Sequence, residues 1–390
     1  MDFRLDERQQ EFLDRLRRYL NTLDTAAVVA DFERDFTLIT GPSRAFLRRL
    51  GRDRWLGVGW PVEYGGQGRS AIEQWLFLEE MAYRRLPSGN LTLSSIGPVI
   101  VELGTEEQKR DYLPGILAAD LEFAIGYTEP DAGTDLANLQ TRAHLQPDGG
   151  YVVVGQKVFT TGASIATHLW LAARTGPPDS RHQGISLFIV PMDTPGITVR
   201  PLITQSGERT NEVFLDEVRI SASGLIGEEN GGWNGITRQL DLERLFAVGL
   251  LRRQFEQLVA WRTGQKACPV EDPYARHRLA ALGADIEASR LLNLRAAWMI
   301  DSGATPYAEA SMAKVWYSEL RQRLALEALD GMGPEGQLEY GQDGAPEDGY
   351  FERSYRSSTV FKFGAGTNEV QRTIIAQRAL NLPRALNLPR

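Results

Sequence analysis

Read for the spacing of apolar positions alone, the chain changes period twice. From the start, Phe3, Phe12, Leu13, Leu16 and Leu20 recur at mostly helical intervals among Arg, Asp and Glu, the mark of a helix with one apolar stripe. Helical spacing continues over 43–50, 70–84 and 105–118. Thr105-Glu-Glu-Gln108 has the form of a capping box, in which two side chains satisfy each other's free backbone amides. A glycine-rich stretch from Gly57 to Gly68 interrupts these elements, so roughly the first 120 residues are expected to be helical.

Between about 121 and 225 the period shortens. Runs of β-branched and aromatic residues at 151–154, 157–161, 168–173, 184–190, 197–202 and 213–220 are separated by Gly, Pro, Asp and Asn, which predicts a small β domain. No long helical crossovers separate the runs, which argues against a doubly wound parallel sheet. After Gly231-Gly232 helical spacing returns at 234–262, 274–302, 305–333 and 366–380, as in an antiparallel four-helix bundle. The expected organisation is α+β with three domains: helical over 1–120, β over 121–225, and a helical bundle over 226–390. A Pro/Gly/Asp-rich excursion is expected at 333–349. The hexapeptide ALNLPR, duplicated at 379–384 and 385–390, reads as a tail because Pro383 and Pro389 break helix.

Composition then narrows the function. The 390 residues carry 43 basic and 51 acidic side chains, a net charge of -8, which argues against a nucleic-acid partner. A small anionic ligand stays open, since local arginines can serve it. Only Lys109, Lys157, Lys266, Lys314 and Lys362 are lysines, and the bland alternative is a bias toward arginine codons. A hydrophobic fraction of 42%, with charge spread along the chain, excludes intrinsic disorder. The single cysteine, Cys268, cannot form an intramolecular disulfide, and His144, His168, His182 and His277 lack metal-ligand spacing, so no metal is expected. With a charged N-terminus and no stretch near 20 apolar residues, the expectation is a cytoplasmic protein with no membrane partner.

Three segments are candidates for chemistry, each with a structural alternative. Gly331-Met-Gly-Pro-Glu-Gly336 matches a dinucleotide-binding pattern but follows helical sequence rather than a strand, which removes the context that gives the pattern meaning. Tyr127-Thr-Glu-Pro-Asp-Ala-Gly-Thr-Asp135 offers small residues and hydroxyls to a polar ligand, or is an ordinary turn. Gly364-Ala-Gly-Thr-Asn-Glu369 is the same choice, with Thr or Asn as a helix cap. Within the expected helix 236–258, Ile236, Leu240, Ala247, Leu251 and Leu258 form one stripe. Glu243 falls inside it and Arg244 at its margin. A carboxylate there is either a buried structural pair or interface contact, or a general base whose pKa burial has raised.

Taken together the segments resemble the acyl-CoA dehydrogenase family over nearly the whole chain. The resemblance rests on Trp60-Pro-Val-Glu-Tyr-Gly-Gly66, Tyr127 to Asp135, Lys157-Val-Phe-Thr-Thr161, Asn211-Glu-Val-Phe-Leu-Asp-Glu-Val218, Gly227-Glu-Glu-Asn-Gly-Gly-Trp233 and Gly364 to Glu369, six motifs in the family's order. It implies an N-terminal helical domain, a β-barrel-like middle domain and a C-terminal four-helix bundle. It also implies FAD as cofactor, and removal of an α-proton and a β-hydride from an acyl-CoA thioester. Electrons would leave to an electron-transferring flavoprotein, and the assembly would be a homodimer or homotetramer.

By motif, the resemblance places Ile125, Tyr127, Thr128, Phe159, Thr160 and Thr161 at the flavin ring, and Thr134 at the CoA arm and cofactor. Arg262 would meet the pyrophosphate of a neighbouring subunit's FAD, and Thr367, Asn368 and Glu369 the adenosine half. Most members carry the base on the loop before the last helix, where this chain has Ala365. A minority, including isovaleryl-CoA and long-chain types, carry it on the first bundle helix, and Asp241-Leu-Glu-Arg244 matches them with Glu243 as base. Asp241, Arg244, Ala365 and Gly366 would then lie beside the substrate, with the Ala365 amide on its carbonyl. Two departures stand out: Asp330-Gly-Met-Gly-Pro-Glu-Gly336 where the family has a neutral amide first, and Gln265-Lys266 where it has Phe-Gly. These leave open a heteromer in which this chain completes a partner's site. A flavin oxidase or monooxygenase relative is the third reading, and the freed loop suggests a branched or bulky acyl chain.

Overall fold

A computed structural model describes residues 3–35, 37–89, 91–242, 247–264 and 273–383, with the side chain of Asp241 also left undescribed. The described chain packs as two compact units. One comprises Asp24–Arg69 and Leu86–Glu243 and holds the sheet; the other comprises Met1–Leu23, Ser70–Arg85 and Arg244–Arg390 and is helical. The helical first third is therefore shared. Helices Glu7–Asn21 and Ala71–Tyr83 pack against each other in the helical unit, while Gly41–Arg52 and Glu106–Leu117 belong with the sheet.

The sheet is built from β1 (Phe123–Gly126), β2 (Arg142–Leu145), β3 (Tyr151–Lys157), β4 (His168–Arg174), β5 (Ile185–Pro191), β6 (Ile197–Ile203), β7 (Arg209–Ile220) and β8 (Leu225–Ile226). Its order is β6-β7-β3-β2-β4-β5-β8, with β1 paired to β4. Pairing is antiparallel except for β1 with β4 and β2 with β4, as the lack of helical crossovers requires. Val153, Leu169, Leu171, Phe188, Val190, Val213 and Val218 form its apolar core. The run 157–161, expected to be a strand, is a strand only at Lys157. Phe159 takes φ 56°, and Thr160 turns to exchange bonds with Asn211 across the fold. Strands β1, β2 and β8 are too short to show a period in sequence.

Three helices start at capping boxes: Asp6 with Gln9, Ser70 with Glu73, and Thr105 with Gln108, the last as its sequence predicts. In the helical unit Leu251, Leu258, Leu282, Ile286, Tyr317, Leu320, Leu324 and Phe351 form the core. Helices Pro273–Asp301 and Tyr307–Met332 match expectation closely. The helix expected over 234–262 is described as two segments, Gly232–Leu242 and Gly249–Gly264, and residues 243–246 between them lie outside the described residues. Ile236, Leu251 and Leu258 are fully buried. Helices Ala26–Arg34, Gly97–Leu103 and Tyr350–Ser358 are not apparent from spacing. The excursion 333–349 holds two 3-10 turns, Gly333–Gln337 and Pro346–Gly349. Among the described residues no helix is long and apolar enough to cross a membrane, and no cluster of metal-ligating side chains occurs.

Candidate active site

In the sheet-bearing unit, the loop after β1 is joined to the end of β3. The Val158 amide donates to the Thr128 carbonyl at 2.9 Å, which sets Tyr127 and Thr128 beside Phe159, Thr160 and Thr161. Beneath them lies a buried ion pair. Lys157, at 0% exposure, donates to the Glu129 carboxylate at 2.7 Å and to the Tyr127 carbonyl at 3.2 Å. Glu129 also accepts the amides of Gln140 and Thr141 at 2.5 and 2.9 Å. Burial works to raise the Glu129 carboxyl, but the Lys157 ammonium and these donors together hold it below its ordinary value. Burial draws Lys157 down to about 8 against the pull of Glu129, which leaves it charged at neutral pH. Tyr127 is fixed at its other end, its hydroxyl accepting the Trp170 indole at 2.9 Å.

Above this base the polar groups are unused. The amides of Thr128, Phe159 and Thr161 meet no acceptor among the described residues, and the Thr160 hydroxyl is buried with no partner. Phe159 is 66% exposed in the left-handed region, a conformation that costs a non-glycine residue about 1–3 kcal/mol and clusters at functional sites. An outward phenyl ring beside unbonded backbone amides, with the Thr161 hydroxyl held on Thr210 at 3.5 Å, suits a planar heteroaromatic ligand with carbonyl acceptors, as the flavin ring is. Ile125 sits half-buried on β1, close to Tyr127 and Thr128 in sequence, and Thr134 is exposed further along the following loop.

The helical unit presents Gly364–Glu369. Thr367 caps helix Asn368–Arg378, its hydroxyl accepting the Val370 amide at 3.2 Å. Glu369 is exposed, and hydrogen bonds from its own amide and from Thr367 hold its carboxyl low. The Asn368 side chain points inward: it is 3% exposed and bonded to Lys314, Ser318 and Glu319. Ala365 and Gly366 are exposed at φ 54° and 86°. The carbonyl of Ala365 accepts Gln371 Nε2 at 3.2 Å and that of Gly366 accepts Lys314 Nζ at 2.9 Å, while the Ala365 amide meets no acceptor among the described residues.

Glu243 and Arg244 lie outside the described residues, as do Gln265, Lys266, Cys268 and the second ALNLPR copy. The next helix, Gly249–Gly264, is anchored at its start: the Glu79 carboxylate accepts the amides of Val248 and Gly249, at 2.5 and 2.7 Å. A carboxylate suits the positive end of a helix dipole. Burial nevertheless raises Glu79 to about 7, with the two amides, Arg252 and Arg290 pulling the other way.

Arg262, on the last turn of that helix, is 5% exposed and paired within the chain to Glu327 at 3.3 Å; Glu327 also holds Arg278 at 2.8 Å. Gly331 makes room for it, because a Cβ at that position would overlap the guanidinium. The pattern Gly331–Gly336 ends a helix and enters a 3-10 turn, with no strand before it.

Family models for acyl-CoA dehydrogenase match the chain from end to end: the N-terminal domain over 6–120, the middle domain over 124–219 and the C-terminal domain over 230–380. The chain belongs to the acyl-CoA dehydrogenase family. Acyl-CoA dehydrogenase FadE26 of Mycobacterium tuberculosis is 39% identical over 388 residues, covering 95% of this chain and 96% of that one. FadE29 of the same organism is 37% identical, with 96% and 97% covered. Among solved structures, the Tcur3481-Tcur3483 steroid ACAD aligns with a TM-score of 0.91 at 38% identity, covering 99% and 100%. The ChsE4-ChsE5 complex from Mycobacterium tuberculosis aligns at 0.89, also at 38% identity with 99% and 100% covered. The acyl-CoA dehydrogenase fold, α+β with a helical N-terminal domain, a middle sheet domain and a helical C-terminal domain, and an oxidoreductase activity follow from this membership.

As an acyl-CoA dehydrogenase the chain also shows which of its residues spacing alone does not single out. Glu129 and Lys157 hold the loop that carries Tyr127 and Thr128, Lys314 holds the Gly364–Asn368 loop, and Glu79 holds the start of helix Gly249–Gly264. For Lys314 a signal exists. It falls on the stripe Ala310, Ala313, Tyr317, Leu320 and Leu324, a charge on an apolar face like Glu243.

Proposed function

We propose that this acyl-CoA dehydrogenase binds FAD and desaturates a bulky acyl-CoA thioester, with Glu243 as the base. The observation that carries the reading is the Gly364–Gly366 loop. It has no side chain beyond a methyl, its Ala365 and Gly366 carbonyls are turned inward, and its Ala365 amide meets no acceptor among the described residues. An amide so held stabilises negative charge on a thioester oxygen, which acidifies the α-carbon. Glu243 takes the α-proton, Arg244 orients it, and Asp241 and Gly366 border the acyl group. FAD supplies the acceptor for the β-hydride. The free amides of Thr128 and Thr161, the Thr160 hydroxyl and the Phe159 ring would hold its flavin end, with Ile125 and Tyr127 behind them, and Thr134 would meet the CoA arm.

A loop without a carboxylate leaves space beside the α-carbon, and a 38%-identical neighbour is named a steroid ACAD. We therefore read the substrate as an acyl-CoA with a branched or polycyclic acyl group. The test is anaerobic flavin bleaching across straight, branched and ring-bearing acyl-CoAs. Bleaching by the bulky members is expected, and Glu243→Gln should lower its rate about 10²-fold or more. Unchanged bleaching in that variant would sink the base assignment, and preference for short straight chains the substrate class.

Arg262 favours a second element of this reading. Enclosed against Glu327 within its own chain, and with Asp330 at the end of the facing helix, it is poorly disposed toward a neighbour's pyrophosphate, which the acidic groups would repel. We infer a heteromer with a second dehydrogenase chain, holding fewer flavins than chains, with an electron-transferring flavoprotein as acceptor. One flavin per chain in the protein purified alone would overturn the heteromer.

A further inference from the structure

Helix Tyr307–Met332 buries Ala310, Ala313, Tyr317, Leu320 and Leu324 on one face, and Lys314 stands among them at 2% exposure. A buried ammonium is costly unless each of its protons finds an acceptor. Here all three do: the carbonyls of Lys362 and Gly366 at 3.1 and 2.9 Å, and Asn368 Oδ1 at 2.8 Å. Lys314 makes no salt bridge among the described residues; Glu319 and Glu369 act on it only at longer range. Its whole hydrogen-bonding capacity therefore goes to the segment that begins at Lys362 and ends at Asn368.

That segment is strained where it bends. Ala365, which has a Cβ, sits at φ 54°, a conformation that persists only when its surroundings over-determine it. The surroundings are Lys314, gripping the chain before and after the bend, and Gln371, whose side chain takes the Ala365 carbonyl at 3.2 Å. With the Ala365 and Gly366 carbonyls engaged, the Ala365 amide is left without an acceptor among the described residues, on a residue that is itself exposed.

We propose that Lys314 is a positioning residue for catalysis: by drawing the Lys362 and Gly366 carbonyls inward it holds the Ala365 amide in the geometry that polarises the thioester carbonyl. The inference rests on the reading of that amide as the carbonyl's donor. Lys314 touches neither substrate nor cofactor. It acts through the loop, with Gln371 as its partner on the other side of the bend.

The test uses the flavin-loaded protein, with its partner chain if it has one, and Lys314→Met. Bound arylacryloyl-CoA, whose absorption moves to the red as its carbonyl is polarised, reports the geometry without turnover. Exchange of the substrate's α-hydrogen with D₂O reports enolate formation. Lys314→Met should lose at least half of the red shift and about 10²-fold in exchange, while the dissociation constant of the CoA ester changes less than about 3-fold. Gln371→Met should do the same to a smaller degree, and it carries the test if Lys314→Met does not fold. A folded Lys314→Met with full shift and full exchange overturns the proposal, as does a wild-type complex with no shift. Glu243→Gln separates the two readings. It should keep the shift and lose exchange; if it keeps both while Lys314→Met loses the shift, the base assignment fails and the positioning role stands.

Discussion

Each unit holds buried charge in two ways, on an opposite charge or on backbone dipoles. The helical unit pairs Arg262 with Glu327 at 3.3 Å, and the sheet-bearing unit sets Arg174 on the Ala137 and Leu139 carbonyls, but the loops that carry the expected site residues differ in which way they use. In the sheet-bearing unit Lys157 is paired with Glu129 at 2.7 Å, and Arg44 with Glu122 at 3.0 Å. In the helical unit Lys314 and Glu79 sit on backbone dipoles: Lys314 on carbonyls, Glu79 on the first amides of a helix. The difference separates rigidity from adjustability. An ion pair fixes its loop but leaves an uncompensated charge when either partner goes. A charge held by amides or carbonyls leaves only neutral groups behind, and its hold weakens when it titrates.

The largest effect expected from this contrast is Lys157→Met, which strands the Glu129 carboxylate and should destabilise the protein by about 3–5 kcal/mol. Chemical denaturation measures it, and adding Glu129→Gln should restore much of the loss. No rescue by the second change would break the contrast on the paired side.

Next comes pH. The folded pKa of Glu79, about 7, lies above its unfolded value, so the folded state binds the extra proton. Its contribution is present in full below the unfolded pKa, near 4.5, and is lost as pH rises through 7. At about 1.4 kcal/mol per unit this amounts to roughly 3–4 kcal/mol. The thermal midpoint should fall between pH 5 and 8 by less in Glu79→Gln than in the wild type. Equal slopes would show that the carboxyl is not enclosed as the structure has it.

Lys314→Met should cost less than Lys157→Met, about 1–3 kcal/mol, because it leaves neutral acceptors unpaired instead of a charge. Comparing the two by the same denaturant series sharpens the contrast, and a Lys314 cost as large as that of Lys157 would erase it. Smallest is Thr367→Ala, which removes the cap of helix Asn368–Arg378 and should cost about 1 kcal/mol.

Much of the architecture is legible in sequence, and the gaps have physical causes. The period changes locate the sheet, and the long helices of the C-terminal region need no tertiary information to declare themselves. Strand β1 is only Phe123–Gly126 and β2 only Arg142–Leu145, too short to alternate visibly. The strand expected at 157–161 does not form because Val158, Phe159 and Thr160 look β-prone, whereas their conformation is set by Asn211 and Thr128, distant in sequence. Two of the family motifs meet through one backbone hydrogen bond, from the Val158 amide to the Thr128 carbonyl. Their supports stand inside the same motifs, but nothing in either motif shows that Lys157 pairs with Glu129, twenty-eight residues away in sequence. Lys314 is within reach of the same reasoning that singles out Glu243, a charge on an apolar stripe, but its acceptors lie some fifty residues further on and leave no local trace.

One small absence has a wider reach. The glycines of Gly331–Gly336 look, as text, like a cradle for phosphate. In space the first is the footprint of a guanidinium, missing its methyl because Arg262 occupies that volume. The second sits at φ 65°, where the helix stops and the chain turns away. Two unrelated demands, room for a neighbour and a change of direction, have spelled a familiar word by coincidence. Such look-alikes should therefore concentrate where a helix ends against a crowded side chain, and replacing Gly331 with Ala would read as an eviction of Arg262 rather than as damage to a nucleotide pocket.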